Sequence, residues 1–273
     1  MYRLQIGLLP VDVLDKNKVP SLSRGEVLSK SKCRVLSETK CEVLNSIESF
    51  IYDKSPHQVV TLNSLMYNNS VYDSELRKVI SEAQLVLPDS AGIVFAVYLL
   101  TGHRTKRIAG IDLMLELCHL AEMKKYKIFL LGARENMLSS AVSNLKQKFP
   151  GLDISGYHHG YFSMENEQTI LEQIKDCKPE ILFVGLHVPE QEKWICSHLK
   201  ELKVPVVMGV GGSFDVIAGR LKRAPELLQR IGFEWLFRFL QQPWRIARFG
   251  HLVMFVFYIL TIKFTNILTY RKL

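Results

Sequence analysis

The chain has 273 residues, of which 48% are hydrophobic and 23% charged, and its formal net charge is +8 at pH 7. This composition indicates a globular protein rather than a disordered one, and the length allows one large core or two small domains. The five cysteines are scattered and form no CxxC pair. The sequence therefore indicates neither a disulfide framework nor a zinc knuckle.

The positive charge is concentrated at the C-terminal end. Residues 1–219 hold 25 basic and 25 acidic side chains, whereas residues 220–273 hold ten basic side chains against two acidic ones. A neutral body with a basic tail argues against a nucleic-acid-binding coat and favours a tail that meets an anionic surface. We therefore divide the chain into an α/β core, residues 1–219, and a basic C-terminal appendage, residues 220–273.

The N-terminal segment has no apolar stretch of signal-peptide length before Asp12 and Asp15 interrupt it, which favours a cytoplasmic protein. The region that follows, Lys16–Lys40, is rich in Lys and Ser and does not fit the pattern of the rest of the core. We expect an exposed insertion there.

Short apolar runs then alternate with amphipathic stretches. The runs that predict buried strands are Gln58–Leu62, Ala83–Pro88, Lys127–Gly132, Glu180–Leu186 and Val204–Gly212. The stretches that predict helices are Ser74–Glu82, Ile111–Lys124, Glu135–Phe149, Glu165–Cys177 and Glu190–Lys200. Such alternation is typical of a parallel sheet covered by helices on both faces, which binds ligands beyond the carboxyl ends of its strands.

The appendage carries no strand signal. Pro225–Leu240 predicts an amphipathic helix, and a second helix is expected to begin at Pro243. The apolar segment Gly250–Phe264 is short for a bilayer span, which needs about 20 apolar residues. It fits a helix that lies in or dips into the membrane interface, and a core or oligomer-interface helix is the alternative.

Candidate site residues lie at the ends of the predicted strands. They are Thr61, Asn63, Asp89, Arg107, Gly132, Gly185, Gln191 and Asp215. Asp89 could be a general base for a substrate hydroxyl or the N-cap of the helix after it. Arg107 suits a diphosphate, because guanidinium is a planar fork of donors, and Gln191 suits sugar hydroxyls. Thr61 and Asn63 could instead satisfy turn amides.

Several common site signatures are missing from the sequence. The glycines at Gly209–Gly212 do not form a GxGxxG fingerprint, and neither a GxxxxGK[ST] loop nor a GxSxG elbow occurs. His158 and His159 lack a third ligand at metal spacing, so we interpret them as surface or loop residues. The remaining pattern favours a phosphate- or nucleotide-containing ligand, with no metal and no covalent nucleophile.

Seven stretches, in this order, resemble the WecG/TagA/CpsF glycosyltransferases, glycosyltransferase family 26. They are VVTLN, LVLPDSAGIV, RIAGIDL, FLLGA, FPGLDISGYHHGYF, VGLHVPEQEKW and GVGGSFDVIAGRLKRAPELLQRIGFEWLFRFLQQPWRIARF. The resemblance covers roughly Val59–Phe249 together with a first predicted strand, IGLLPVDVLD. The seven stretches in order are far more specific than any one of them.

This resemblance implies a Rossmann-like core of the GT-E type and membrane association through the appendage. It also implies an inverting enzyme that uses neither metal nor cofactor. Such an enzyme transfers N-acetylmannosamine, or its uronic acid, from a UDP-sugar to polyprenyl-diphosphate-linked GlcNAc. The expected setting is cell-surface polysaccharide synthesis, such as teichoic acid or capsule, at the inner face of the plasma membrane.

The resemblance implies roles for individual residues as well. Asp89 falls on the proposed base of the family, and Asp215 is expected near the uridine. The pocket residues fall on Thr61, Asn63, Arg107 and Gln191. The arginines of the appendage, expected to meet the lipid acceptor and the membrane, are Arg238, Arg245 and Arg248.

The chain also departs from the family pattern. Ser90 replaces the glycine that usually follows the aspartate, and His187 and Glu190 replace a glycine and a lysine beside Gln191. These changes leave two alternatives open: transfer of glucose or another hexose from its UDP-sugar, and a catalytically idle nucleotide-binding membrane scaffold. The presence of Asp89, Arg107 and Gln191 argues against the scaffold.

Overall fold

The computed structural model describes residues 1–13, 38–221, 223–225, 228, 237 and 247–270. The strands of this part are β1 (Tyr2–Ile6), β2 (Leu9–Val13), β3 (His57–Leu62), β4 (Leu85–Pro88), β5 (Lys127–Gly132), β6 (Asp153–His158), β7 (Ile181–Gly185) and β8 (Val206–Gly209). Its helices are α1 (Glu38–Asp53), α2 (Ser64–Tyr72), α3 (Ser74–Glu82), α4 (Ala91–Thr101), α5 (Gly110–Lys124), α6 (Glu135–Lys148), α7 (Met164–Cys177), α8 (Glu190–Leu202), α9 (Ser213–Ile217) and α10 (Ala247–Tyr270).

Six strands form one parallel sheet in the order β4-β3-β8-β7-β5-β6. Helices α1, α5 and α6 cover one face, while α2, α3, α4, α7, α8 and α10 cover the other. Both sides of the central strands are therefore buried, which explains why their sequences are continuous apolar runs. The predicted α/β class with a Rossmann-like parallel sheet is confirmed.

The first apolar stretch of the chain is a hairpin rather than one strand. The turn at Gly7–Leu8 separates β1 from β2, which pair in antiparallel fashion. Asp12 attaches this hairpin to the edge of the large sheet, because its Oδ2 accepts a hydrogen bond of 2.7 Å from the amide of Val86 in β4. The guanidinium of Arg3 binds the same carboxylate at 2.8 and 2.9 Å.

The prediction of elements failed where local sequence carried little signal. Strand β6 was missed because it pairs only with β5 at the sheet edge and none of its residues is fully buried, so its sequence is not an apolar run. Helix α2 was missed because it mixes buried polar residues, Asn68 and Ser70, with apolar ones. The proposed insertion lies outside the described residues except Glu38–Lys40, which begin α1.

Helix α10 packs one face into the core and exposes the other. Phe255 and Ile259 are fully buried, and the ring of Tyr67 in α2 meets that of Phe255 edge-on at 5.3 Å. The amide of Asn68 donates to the backbone oxygen of His251. The core-helix alternative therefore describes the buried side of α10, and contact of the exposed side with a membrane interface stays a prediction. Within the described residues, no helix combines the length and hydropathy needed to cross a bilayer.

The rest of the appendage is described at only a few positions. The predicted helices that start at Pro225 and Pro243 lie largely outside the described residues. The start of the appendage is nonetheless attached to the core, since Arg223 binds Asp112 in the first turn of α5 at 2.6 Å. The division into residues 1–219 and 220–273 stays a prediction.

We predict that replacing Phe255 destabilises the protein far more than replacing its exposed neighbour Phe257. Phe255→Ala leaves a cavity between α10, α2 and α4, which should lower the free energy of unfolding by about 3–5 kcal/mol. Phe257 is 73% exposed, so Phe257→Ala should change it little. Urea unfolding followed by circular dichroism measures both. Equal midpoints for the two variants would show that α10 does not dock in solution.

Candidate active site

The carboxyl ends of the parallel strands meet at one edge of the sheet, and the predicted site residues follow them. Asp89 comes directly after β4, and its amide donates to the oxygen of Leu62 at the end of β3 at 2.9 Å. Its Oδ1 accepts a hydrogen bond of 2.9 Å from the amide of Gly110, the first residue of α5. The carboxylate thus lies where β3, β4 and α5 converge.

The alternative role of Asp89, an N-cap of α4, is wrong. Ser90 is the N-cap, and its Oγ accepts from the amide of Ile93 at 3.3 Å. The hydroxyl of Ser64 lies 3.1 Å from that of Ser90. The serine that replaces the usual glycine of the family therefore has a local function in starting α4, and it leaves the Asp89 carboxylate to α5.

Thr61 and Asn63 lie beside Asp89 with different partners. The Thr61 hydroxyl is 3.5 Å from the oxygen of Gly209 in β8. A Cβ on Gly110 would stand 2.9 Å from this hydroxyl, so glycine is what lets α5 approach β3. Asn63 is the N-cap of α2, with its Oδ1 accepting from Met66 at 3.0 Å. Its side chain therefore satisfies a backbone amide, as the alternative interpretation proposed. Contact with substrate stays a prediction.

Gln191 is enclosed rather than open to solvent, with an exposed fraction of 2%. Its Oε1 accepts from the amide of Gly211 at 2.8 Å, and its Nε2 donates to Oε1 of Glu192 at 2.7 Å. These two bonds connect the first turn of α8 to the glycine-rich loop after β8. Its predicted contact with sugar hydroxyls remains a prediction, and the structure adds a role in supporting this loop.

Glu192 is a buried carboxyl in the first turn of α8. Burial raises its pKa to about 7, an effect larger than that of the hydrogen bond from Gln191, which favours the charged form. Its side chain is 1% exposed, so it is enclosed by the protein rather than solvated at the start of the helix.

Gly132 and Gly185 pair across β5 and β7 at the end of the sheet. A Cβ on Gly132 would stand 2.4 Å from the oxygen of Gly185, and one on Gly185 would stand 2.5 Å from the ring of Phe214. Both glycines thus allow the loops after β5, β7 and β8 to meet. A direct contact of either with substrate stays a prediction.

The remaining predicted residues are described in part. Arg107 is half-buried and lies three residues before Gly110, whose amide binds Asp89. Asp215 is half-buried in α9, next to Gly212. Arg238 and Arg245 lie outside the described residues, and of Arg248 only the backbone, within α10, is described.

One exposed aromatic at this edge was missed by the sequence analysis. Tyr161 is 59% exposed in the loop after β6, and the guanidinium of Arg134 lies over its ring at 6.0 Å. Because β6 was not predicted, the sequence did not indicate that the loop after it lies at this edge of the sheet. His159 lies in the same loop, with His158 ending β6. In the described part of the chain, no cluster of three or more His, Cys, Asp or Glu side chains could hold a metal ion.

Comparison with known proteins identifies the family. The sequence model described as the glycosyl transferase WecG/TagA/CpsF family matches residues 31–268. Proteins of the Staphylococcus aureus strains MW2, NCTC 8325 / PS 47 and MRSA252 are each 34% identical over 220 residues, which is 80% of this chain and 86% of each relative. They are named N-acetylglucosaminyldiphosphoundecaprenol N-acetyl-beta-D-mannosaminyltransferase. The chain therefore belongs to the WecG/TagA/CpsF family of glycosyltransferases.

Proposed function

We propose that this enzyme transfers N-acetylmannosamine from its UDP-sugar to GlcNAc carried on polyprenyl diphosphate. The observation that carries the proposal is the position of the Asp89 carboxylate, held by Gly110 at the edge where parallel sheets bind ligands. The names of the relatives supply the sugar and the acceptor. The reaction class needs a base at that edge to deprotonate the acceptor hydroxyl.

The proposed reaction is a single displacement with inversion. Asp89 takes the proton of the acceptor hydroxyl while its oxygen attacks the anomeric carbon, and the bond to the UDP oxygen breaks on the opposite face. The leaving diphosphate gains negative charge, and we assign its stabilisation to Arg107 in the segment that leads into α5. A cationic side chain in this role supports a mechanism that needs no metal ion.

We place the nucleotide over the loops that follow β5, β6 and β8. The exposed ring of Tyr161 offers a flat apolar surface to a base, and the carboxylate of Asp215 can accept from ribose hydroxyls. This arrangement puts the donor diphosphate between Asp215 and Asp89, above Gly185 and the glycine-rich loop. The acceptor then enters from the side of α4.

The side of α4 carries an exposed apolar surface that continues onto α10. On α4, Phe95 and Tyr98 point outward, and Arg104 lies 5.7 Å from the Tyr98 ring. On α10 the exposed apolar residues are Val253, Met254, Val256, Phe257, Leu260 and Phe264. A Cβ on Gly92 would stand 3.2 Å from the Phe255 ring, so the two helices lie side by side.

We propose that this apolar surface rests on the inner face of the plasma membrane, with a cytoplasmic core above it. Amphipathic helices bind membranes by burying such a face to about 5–10 Å, and basic residues around them meet anionic head groups. Because α4 begins next to Asp89, the membrane surface would lie close to the proposed base. A diphosphate at head-group level would then come within reach of the site.

The proposed donor is tested by a panel of UDP-sugars with a polyprenyl-diphosphate GlcNAc analogue, in buffer containing EDTA. We expect transfer from UDP-N-acetylmannosamine and little from UDP-glucose or uronic acid donors. His187 and Glu190 are exposed beside Gln191 and favour the alternative of another UDP-hexose. Transfer from a different donor alone would support that alternative, and activity restored only by added Mg²⁺ would contradict the metal-independent mechanism.

We predict that Asp89→Asn lowers kcat by about 10²–10⁴-fold, the usual contribution of a general base. The asparagine oxygen can still accept from Gly110, so the edge of the sheet and UDP binding should persist. Steady-state kinetics and calorimetry with UDP measure the two effects. The matched control is Asp153→Asn. Asp153 is the first residue of β6 and lies at the amino ends of the strands, away from the proposed site, so this variant should be as active as the wild type. Equal rates for both variants would exclude Asp89 as the base.

We predict that Phe257→Ser combined with Phe264→Ser releases the protein from anionic vesicles. The side chains are 73% and 62% exposed, so folding should be retained while apolar contact with lipid is lost. Vesicle pelleting measures binding, and activity should fall on a long-chain lipid acceptor but not on a water-soluble one. Met164→Ser, 93% exposed on α7, is the control. Unchanged pelleting of the double variant would reject the proposed membrane surface.

A further inference from the structure

Glu192 is a buried acid that the proposed mechanism does not use. Its Oε1 accepts from Gln191, whereas its Oε2 has no hydrogen-bond partner within the described part of the chain. An enclosed polar atom without a partner is costly, and a charged one more so. Such a group calls for a functional explanation, because an apolar side chain of the same size would avoid the cost.

Its surroundings connect it to the loop after β8. A Cβ on Gly209 would stand 2.2 Å from Nε2 of Gln191 and 3.2 Å from Oε1 of Glu192, so both side chains press against the end of β8. The Oε1 of Gln191 in turn accepts a hydrogen bond of 2.8 Å from the amide of Gly211. On the other side, Gln58 of β3 donates to the backbone oxygen of Glu192 at 3.2 Å.

Among the described residues, the charged group whose field reaches this carboxyl is Glu190 of the same helical turn, and it opposes ionisation, as burial does. Strands β7 and β8 bring no ionisable side chain, and β3 brings His57, which lies 3.3 Å from Asp53. The acids at the N-cap and first turn of α3 and in α7 that contact α8 are bound by other side chains of that helix. They are Asp73 and Glu75 at Lys193, and Glu167 at Trp194 and His198.

We propose that neutral Glu192 is the positioning residue that fixes Gln191 and, through it, Gly211, so that the loop Gly209–Gly212 is preorganised for an anionic donor. This inference rests on the proposed use of a UDP-sugar. A neutral acid accepts the Gln191 bond through Oε1 without placing a charge beneath the diphosphate. Ionisation would put a negative charge under a bound anion, in a region where burial weakens screening.

We expect UDP binding to weaken as the pH rises through the pKa of Glu192. The carboxyl is neutral at pH 6 and ionised well above its pKa of about 7. A bound diphosphate disfavours the charged form further, so the pKa rises on binding and the protein takes up a proton at alkaline pH. If the rise is one unit, the dissociation constant for UDP grows by up to about tenfold between pH 6 and pH 8.5.

The test compares UDP binding to the wild type and to Glu192→Gln by calorimetry from pH 6 to pH 8.5. Glutamine keeps the acceptor for Gln191 and cannot ionise, so its affinity should equal that of the wild type at pH 6 and exceed it by up to about tenfold at pH 8.5. The ratio of the two dissociation constants cancels any ionisation of the nucleotide. Glu192→Met, which has no acceptor, should bind UDP more weakly than Glu192→Gln at every pH.

A second measurement needs no variant. Binding heats of the wild type at pH 8 in buffers of different ionisation enthalpy should show proton uptake. A constant affinity ratio together with no proton uptake overturns this inference and leaves the proposed function standing. A wild type that binds no UDP at any pH overturns both.

Discussion

The hydrogen bond between the Gly110 amide and the Asp89 carboxylate is the contact on which the proposed chemistry depends. The first amides of a helix have no partner inside the helix, so Asp89 satisfies an orphan donor of α5 and gains a fixed orientation. Its own amide is held by Leu62 of β3. The backbone of Asp89 is therefore held by β3 and β4 and its carboxylate by α5, a fixed geometry of the kind that the proposed role as a base requires.

The same edge of the sheet is assembled by close approach of backbone. Gly110 allows α5 to meet Thr61, and Gly132 allows β5 to meet Gly185. At these positions the space that a side chain would need is filled by neighbouring protein atoms. At the same edge, the Gln191 side chain is bound by the protein itself, through Gly211 and Glu192. Its part in catalysis would be exerted through the shape of the loop.

The sequence was sufficient for elements whose pattern is local. Helix α3 has the predicted bounds, Ser74–Glu82, because Asp73 caps it and its apolar positions are regularly spaced. The burial of Glu192 could not be predicted, since a glutamate in a first turn normally faces solvent. What encloses it, Gln58 and Gly209, is distant in sequence. The docking of α10 was similarly undecided, because an apolar run alone does not show which of its faces meets a core.

In the proposed arrangement, helix α10 packs against the core with one face and binds the membrane with the other, and this complicates any deletion experiment. Phe255 closes the cluster formed by α2 and α4 and lies against Gly92, three positions from Asp89. Removing the helix would expose that cluster and disturb the start of α4, so activity would be lost even if no membrane were involved. Substitutions confined to the outer face, such as those of Phe257 and Phe264, test the proposed lipid contact while leaving the support of Asp89 in place.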